Sequence, residues 1–290
     1  YQFLFNIPSQ QNAFELWNLG IISNFDYLLV LNHFGGRTFT DLTQYPIFPW
    51  IISPIDLEKR DLSLPIGEIF PEKANYYKLI YESADYYFGF HYSFPGIVFW
   101  YLMRISPFIF LQWDMNNGWD DSQRLFVSIS DAYLSAVKKN TSDLKELIPA
   151  MYAVPEIYRN ILKIKFSANV NEDVLLPSWA NNSSSFYVDV MMKFLQSSED
   201  LNEWINLIFG YKELGEPSYT YKNVYHPACY LYSTPESLKI DPEAFKAQVI
   251  NFGQCPIQLF TKPHLKRAKQ FIDPNENFEI ITKQTHNYNC

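Results

Sequence analysis

The chain has 290 residues, a formal net charge of −8, 48% apolar residues and only three cysteines. The negative charge argues against a nucleic-acid backbone as the main ligand and against broad electrostatic adhesion to anionic lipid. The apolar fraction is enough for one large core, no linker separates two domains, and the cysteines lack metal-ligand spacing, which fits a reduced, cytosolic setting.

The first strong helix signal covers residues 22–34. Ser23 stands at an N-cap position with Asp26 three residues later, and Gly35-Gly36 follows the apolar face. This pattern predicts a helix that begins after Ser23 and ends at the glycines.

Residues 36–52 cannot continue that helix, because Pro46 and Pro49 remove backbone donors. The segment is nevertheless rich in large apolar groups, including Trp50. We therefore expect irregular but buried backbone here and in residues 174–180, which contain Trp179. Buried irregular backbone needs side-chain partners. The candidates are Asn24, Asn32, Arg37, Asp41 and Gln44.

The longest apolar stretch, residues 95–113, is predicted to be core and not a membrane span. Arg104 and Pro107 interrupt it, so neither half has the ~20 uninterrupted apolar residues that a span needs. The first residues lack the basic region and cleavage site of a signal peptide. Because the chain has no initiator Met, we expect it to be a fragment of a longer protein.

Four more helices are predicted from capping residues and apolar periodicity. Extended, proline-marked pieces lie between them, so the expected fold class is mainly α, a single multihelical domain with extended, irregular segments in the core. The first helix runs from Pro71 to Tyr87, with Tyr77, Leu79, Ile80 and Ala84 available for burial, and the second runs from Asp120-Asp121 to Lys138-Lys139. The third covers 198–209, with Ser197 and Asp200 as a capping box and Gly210 at C′. The fourth runs from Asp241-Pro242 to Gly253.

Candidate catalytic groups are sparse. His91 lies two residues from Ser93, but a catalytic triad needs a third, orienting group, so His91 is interpreted as a core histidine. Asp114, Asp120 and Asp121 could be a metal-binding cluster, yet helix capping explains the last two more simply. Glu203 lies on an apolar helix and either belongs to a buried polar network or lines a peptide- or lipid-binding groove.

Collinear segments along residues 12–266 are similar to the BEACH domain, named for the beige and Chediak-Higashi proteins. Seven motifs carry the resemblance, and they follow one another in the same order as in the family. They are DLSLPIG at 61–67, FGFHYS at 88–93, DLKELIP at 143–149, DVLLPSWA at 173–180, LNEWINLIFGYKELG at 201–215 (family pattern LHEWIDLIFGYKQ-G), NVYHP at 223–227 and FGQCPIQLF at 252–260.

The resemblance implies a helical domain with extended core segments and a non-catalytic scaffold role. BEACH proteins are large cytosolic scaffolds in membrane traffic, lysosome-related organelles, autophagy and receptor signalling. It further implies a pleckstrin-homology-like domain before this one and a WD-repeat propeller after it. Residues 1–11 are expected to be the incoming linker, 12–267 the BEACH domain, and 268–290 the outgoing linker or tail.

Three groups of residues follow as candidates, and no cofactor, metal or catalytic residue is expected. Side chains expected to hold irregular core backbone are Asn24, Tyr27, Arg37, Asp41, Gln44, Tyr45, Pro46, Trp50, His91, Arg124, Trp179, Glu203, Trp204, Phe209 and Gly210. Candidates for an interface with the preceding domain are Phe3, Phe5, Phe14 and Trp17. The basic run 262–270 is either a solvated linker or a contact with lipid headgroups or an acidic neighbour, through Lys262, Lys266 and Arg267.

Two alternatives to a scaffold stay open. A peripheral lipid-binding module would depend on the basic run, and a lipid-acting enzyme would be favoured by a buried carboxyl with a raised pKa in a large pocket.

The chain departs from the family pattern where charge is lost. Before Arg124, Gln123 stands for an Asp, and in 201–215 Asn202 and Asn206 replace a His and an Asp. Segments 91–107 and 173–180 are most similar to the branch that includes the factor associated with neutral sphingomyelinase activation.

Overall fold

Helices supply the regular structure in the computed structural model, which describes residues 9–118, 125–166 and 173–269. Within these ranges the helices are joined by long irregular connections, 3-10 turns and isolated β-bridges instead of a sheet. The mainly α fold predicted from the sequence is confirmed. The twelve described helices are α1 (Gln10–Asn18), α2 (Asn24–Phe34), α3 (Pro71–Ala84), α4 (Pro95–Leu102), α5 (Phe108–Asn116), α6 (Ile129–Leu134), α7 (Ala150–Ala153), α8 (Ser184–Gln196), α9 (Leu201–Ile208), α10 (Glu216–Thr220), α11 (Pro235–Leu238) and α12 (Pro242–Phe252).

One continuous apolar core joins these helices. Helix α1 packs on α2, α2 on α8 and α8 on α7, while α4 contacts α5 and α12. Helix α9 is buried at every position from Leu201 to Ile208 except Glu203. Among the described helices, none combines the length and apolar content needed to cross a bilayer.

Residues 45–52 are irregular and entirely buried, as predicted. Asn32 binds both backbone groups of Ile47: its Oδ1 accepts from the amide at 2.8 Å, and its Nδ2 donates to the carbonyl at 2.9 Å. Phe48 forms a bridge with Leu147. The burial prediction is wrong for the first part of the segment, where a 3-10 turn forms at Leu42–Gln44 and Phe39 is 53% exposed.

The second irregular segment, residues 174–180, is only partly buried. Val174 and Ala180 are buried, but Leu175 is exposed and Trp179 is half-buried. Trp179 donates from Nε1 to the Pro54 carbonyl at 2.8 Å and stacks on Tyr187. Its ring therefore covers the edge of the core instead of lying within it.

Helices α2 and α12 match their predictions. Ser23 caps α2 by accepting from the Asp26 amide, and Asp241 caps α12 by accepting from the Ala244 amide. Helix α3 begins at Pro71 as predicted but ends three residues before Tyr87, because Asp85 adopts a left-handed conformation. The burial expected for Leu79 and Ala84 on that helix is wrong, since both are exposed.

Two predicted helix starts are corrected by the structure. Helix α6 begins at Ile129, with Ser128 accepting from the Asp131 amide, and runs into a π-turn at Ser135–Lys139; Asp120 and Asp121 lie outside the described residues. Helix α9 begins at Leu201 without the predicted capping box. Ser197 bonds back to the Phe194 carbonyl, and the Asp200 carboxylate accepts from Lys266.

Candidate functional site

Helix α1 turns one side towards the core and leaves the other side partly open. Ser9 caps it by accepting from the Asn12 amide at 3.2 Å. Ala13 and Trp17, four residues apart, are buried on one face, whereas Phe14 is half-buried. The Trp17 ring stacks on Tyr27 of α2 with 4.7 Å between centroids. The apolar residues of α1 therefore serve both the core and the surface.

The tail of the described chain is tied to the C-terminal end of α1. Arg267 Nε donates to the Trp17 carbonyl at 2.8 Å, and the Lys269 amide donates to the Asn18 carbonyl at 3.2 Å. The Ala268 amide donates to Asn18 Oδ1 at 2.8 Å. Carbonyls in the last turn of a helix have no partner inside the helix. The Trp17 carbonyl accepts from the Gly20 amide as well as from Arg267, and the Asn18 carbonyl accepts from the tail.

The side chain of Asn24 joins α1, α8 and the tail. Its Oδ1 accepts from Trp17 Nε1 at 2.7 Å and from Arg267 Nη1 at 3.1 Å. Its Nδ2 donates to the Leu195 carbonyl at 2.7 Å. Asn24 therefore binds backbone and side chains on either side of α2, and not the buried segment 45–52.

His264 anchors the tail from below. Its Nδ1 lies 2.9 Å from the Leu265 carbonyl, which can only accept, so Nε2 is left to accept from the Tyr27 hydroxyl at 2.7 Å. Burial lowers the pKa of His264 to about 4, so the ring is neutral near pH 7. The His264 amide donates to Asn206 Oδ1 at 2.8 Å, and Asn202 donates to its carbonyl. Both asparagines that depart from the family pattern thus hold this residue.

The tail also leans on the end of α9. The Phe209 carbonyl accepts from the amides of Leu259 and Phe260, and the Gly210 carbonyl accepts from Gln258 Nε2. Gly210 has no room for a side chain, since a Cβ would lie 2.6 Å from the Asn206 Cα. This close approach explains the glycine without any left-handed conformation.

A groove of about 290 Å³ lies between α1 and the tail. We call it the α1–tail groove. Leu265 on its wall is 65% exposed, and Leu19 and Ile21, just after α1, are also exposed. The groove therefore presents apolar surface beside the beginning of the described chain. Its lining residues are Gln11, Phe14 and residues 259–265.

The predicted interface residues separate into two kinds. Phe14 lines the groove, while Trp17 is 1% exposed and lies beneath it, so Trp17 is not available to a partner. Phe3 and Phe5 lie outside the described residues.

The predicted lipid contacts differ in the same way. Lys262 lines the groove and is exposed. Lys266 is exposed and ion-pairs with Asp200 at 2.8 Å. Arg267 is half-buried and donates to the Trp17 carbonyl of α1, to the Ile22 carbonyl just before α2 and to Asn24 Oδ1 of α2, so it is already used by the fold.

A second polar cluster lies deep in the core, around Glu146. Its carboxylate ion-pairs with Arg60 at 2.7 Å, both side chains being nearly inaccessible, and accepts from the Trp50 amide at 3.0 Å and Trp204 Nε1 at 3.2 Å. Sequence reasoning did not single out Arg60 and Glu146. The signal that could have found Glu146 is an acidic residue inside the apolar motif at 143–149, since a buried charge must be paired.

The remaining core candidates hold backbone near Tyr45. Arg37 is buried and donates to the carbonyls of Tyr45 and Gln254. The side-chain amide of Gln44, in the orientation that its neighbours require, donates to the Gln254 carbonyl and accepts from the Gln254 backbone amide, both at 3.1 Å. Asp41 caps the turn Leu42–Gln44 through the Thr43 amide, and Pro46 is buried.

His91 and Glu203 have partners that the sequence left open. His91 is fully buried, burial lowers its pKa to about 3, and its Nδ1 accepts from the Ser93 amide, not from the hydroxyl. Glu203 accepts from Lys212 Nζ at 2.6 Å, and Lys212 also lies 4.2 Å from the centre of the Tyr221 ring. Arg124 lies outside the described residues.

Comparison with known proteins identifies the family of this chain. A profile of the Beige/BEACH domain matches residues 15–267. The chain is 40% identical over 278 residues to BEACH domain-containing protein A2 of Arabidopsis thaliana and 39% identical over 282 residues to Protein SPIRRIG of the same plant, covering 87% of this chain and 8% of each relative. It is 34% identical over 293 residues to the lysosomal-trafficking regulator of Drosophila melanogaster, covering 89% of this chain and 8% of that protein. The chain therefore belongs to the Beige/BEACH domain family.

Proposed function

We propose that this chain is a non-catalytic scaffold domain of a large cytosolic protein that associates peripherally with endomembranes. The processes proposed are vesicle and membrane trafficking, lysosome-related organelles, autophagy or receptor-proximal signalling, with trafficking or receptor proteins as partners. Family membership supports the scaffold role, and so does the small share of the relatives' length that the chain spans. The placement in the branch of the factor associated with neutral sphingomyelinase activation belongs to this proposal and depends on segments 91–107 and 173–180 alone.

The proposed partner in the same chain is a pleckstrin-homology-like domain that packs on the α1–tail groove, with a WD-repeat propeller following the domain. The observation that carries this proposal is the groove itself. Phe14 of α1, the first described helix, and the exposed Leu265 of the tail give the groove apolar walls. Contiguous apolar surface beside a connecting segment is typical of an interface between domains.

The test is co-expression of the chain with the segment that precedes it in the full-length protein. Binding to the folded state should raise the melting temperature and protect amides in α1 and residues 259–265 from hydrogen exchange. Unchanged melting, with no protection in either segment, would contradict the proposed interface.

A matched pair of variants locates the contact. Leu265→Asp on the groove and Leu79→Asp on α3 place the same charge at leucines that are both 65% exposed. We expect Leu265→Asp to abolish the stabilisation by the upstream segment and Leu79→Asp to leave it intact. Equal effects of the two variants would place the contact elsewhere.

Lipid binding is the second candidate, and the exposed Lys262 at the groove favours it. Vesicles containing anionic lipid should then retain the domain at low salt and release it as salt rises. Lys262→Glu should weaken retention, whereas Lys246→Glu on α12, also exposed, should not. If vesicle retention changes neither with salt concentration nor in Lys262→Glu, this lipid contact is excluded.

A further inference from the structure

A second cavity, of about 370 Å³, lies away from the α1–tail groove. It opens between the end of α3, the start of α10 and residues 224–232. Its walls carry the buried carboxyl residue Glu213 and a set of tyrosines. The tyrosines are Tyr86, Tyr219, Tyr225, Tyr230 and Tyr232.

Glu213 is the unusual member of this wall. It is 2% exposed, and its Oε2 has no hydrogen-bond partner among the described residues. Arg37 acts on it electrostatically, but Arg37 Nη1 and Nη2 donate to backbone carbonyls. A buried carboxyl oxygen without a donor is costly, so a native protein rarely keeps one without a use.

The surroundings of Glu213 favour positive charge. Asp85 at the end of α3 also lines the cavity, and the described lining residues include no Lys, Arg or His. Tyr230 and Tyr232 stack with 5.3 Å between centroids. The faces of aromatic rings attract cations, and rings also bury the apolar stem of a long basic side chain.

The acid belongs to this chain and not to the family pattern. In LNEWINLIFGYKELG, Glu213 stands where the pattern has Gln. An amide would bring its own donor to the wall, whereas a carboxyl only accepts when ionised. The wall at Glu213 therefore lacks a hydrogen-bond donor, which a bound molecule can supply.

We propose that this cavity binds an organic cation that bears N–H groups, the guanidinium of an Arg or the ammonium of a Lys from a partner protein. The cation donates to Glu213 Oε2 while the tyrosine rings enclose the stem. A volume of about 370 Å³ falls in the range of small-ligand sites. The inference deepens the scaffold proposal and rests on it only for the choice of a protein as the source of the cation.

Glu213 is a buried carboxyl with a raised pKa in a cavity, the feature that would favour a lipid-acting enzyme, but the groups around it fit binding better than catalysis. Burial raises the pKa of the Tyr225 and Tyr230 hydroxyls above the ordinary value, so neither exchanges a proton readily near pH 7. Burial also raises the pKa of Glu213, and a cation beside it would restore its ionised form.

The experiment uses capped amino acids as probes and saturation-transfer NMR on the whole chain. N-acetyl-arginine methylamide and N-acetyl-lysine methylamide should bind at ~1 mM or tighter, with the neutral citrulline analogue about tenfold weaker. Phosphoethanolamine distinguishes a lipid headgroup from a protein side chain as the source of the cation. Its phosphate should be repelled by the carboxylates of Asp85 and Glu213. Equal binding of citrulline would overturn the proposal, and tighter binding of phosphoethanolamine would overturn the choice of a protein side chain.

Variants then assign the site. Glu213→Gln should weaken the arginine probe about tenfold, whereas Glu216→Gln, which removes an exposed charge on α10, should not. Tyr232→Ala, at a ring that is 66% exposed, should weaken binding without unfolding the chain. Unchanged binding in both Glu213→Gln and Tyr232→Ala would refute the site. Leu265→Asp should leave probe binding intact. The proposed cation site and the proposed domain interface are therefore tested independently.

Discussion

The side chain of Asn24 makes hydrogen bonds to three parts of the chain that are far apart in sequence. It accepts from Trp17 Nε1 and Arg267 Nη1 and donates to the Leu195 carbonyl. Buried donors and acceptors that lose their partner bear the full cost of desolvation. A side chain with several such bonds therefore matters more than its size indicates.

We expect Asn24→Ala to lower the free energy of unfolding by about 2–4 kcal/mol, since it leaves Trp17 Nε1 without this partner and removes one bond each from Arg267 Nη1 and the Leu195 carbonyl. Urea denaturation followed by circular dichroism measures this. Asn18→Ala is the control, because Asn18 is less buried and loses one bond, to the Ala268 amide. Asn18→Ala should lower the free energy of unfolding by about 1 kcal/mol. A loss as large as that of Asn24→Ala would contradict the special role of the Asn24 hydrogen bonds.

Glu213 should make stability depend on pH. Because burial raises its pKa, the folded state keeps its proton at pH values where the unfolded state has released it. Its stabilising effect is then complete below the ordinary Glu pKa and is lost as pH rises through the raised value.

We expect Glu213→Gln to unfold at higher denaturant concentration at neutral pH, by on the order of 1–3 kcal/mol. The gain should shrink as pH falls towards about 4. Urea titrations of both proteins across this pH range measure it, with Glu216→Gln as the exposed control. A gain that does not change with pH, or a loss at neutral pH, would contradict the unsatisfied carboxyl.

Helix α12 ends at a glycine that lies against another segment of the chain. Gly253 has φ +65°, and a Cβ there would overlap the Thr43 carbonyl oxygen. Gly36 has a similar φ of +81°, but its nearest neighbour would be a flexible Ile257 methyl at 3.5 Å. Gly253 also has ψ −166°, a region that glycine alone adopts readily, so it combines backbone strain with close approach, whereas Gly36 has a positive φ without a close backbone contact.

Gly253→Ala should cost more than about 3 kcal/mol, whereas Gly36→Ala should cost only about 1–2 kcal/mol, as is typical of a left-handed alanine. Thermal and urea unfolding of both variants measure the difference. If the two substitutions cost the same, the contact with Thr43 adds nothing.

Elements with strong local signals could be predicted from the sequence. Ser23 and Asp241 cap their helices through amides three residues away, and such local bonds leave a readable pattern. The start at Leu201 could not be predicted in this way, because the Asp200 carboxylate is engaged by Lys266, 66 residues away. Helix α4 is apolar on nearly every face, so it has no period to detect.

The candidate site was predictable only in part. Phe14 and Lys262 were chosen as possible contacts, and both line the α1–tail groove. The sequence could not show that Trp17 and Arg267 are used within the fold, because their partners depend on tertiary structure. The cavity at Glu213 went unnoticed for the same reason, since its walls come from segments more than 100 residues apart.

At the scale of the whole molecule, two adjacent basic residues of the tail should behave differently. Arg267→Ala should destabilise the chain by about 2–3 kcal/mol, since carbonyls of Trp17 and Ile22 lose charged donors. Lys266→Ala removes an exposed ion pair and should cost less than about 1 kcal/mol. Calorimetric melting of both variants measures this, and equal losses would contradict the structural role of Arg267.

The bonds between the tail and α1 also decide how the domain carries mechanical load. Asn18 accepts hydrogen bonds from the amides of Ala268 and Lys269, so the C-terminal end of α1 and the tail lie side by side. Residues 259–265 lie beside Gln11 and Phe14, and residues 267–269 lie beside Trp17 and Asn18, so the tail runs in the same direction as α1. We therefore expect a pull applied at residues 9 and 269 to load the bonds between the tail and α1 together, in shear. The ion pair between Arg60 and Glu146 belongs to neither segment, so we expect it to bear load only after these bonds have broken.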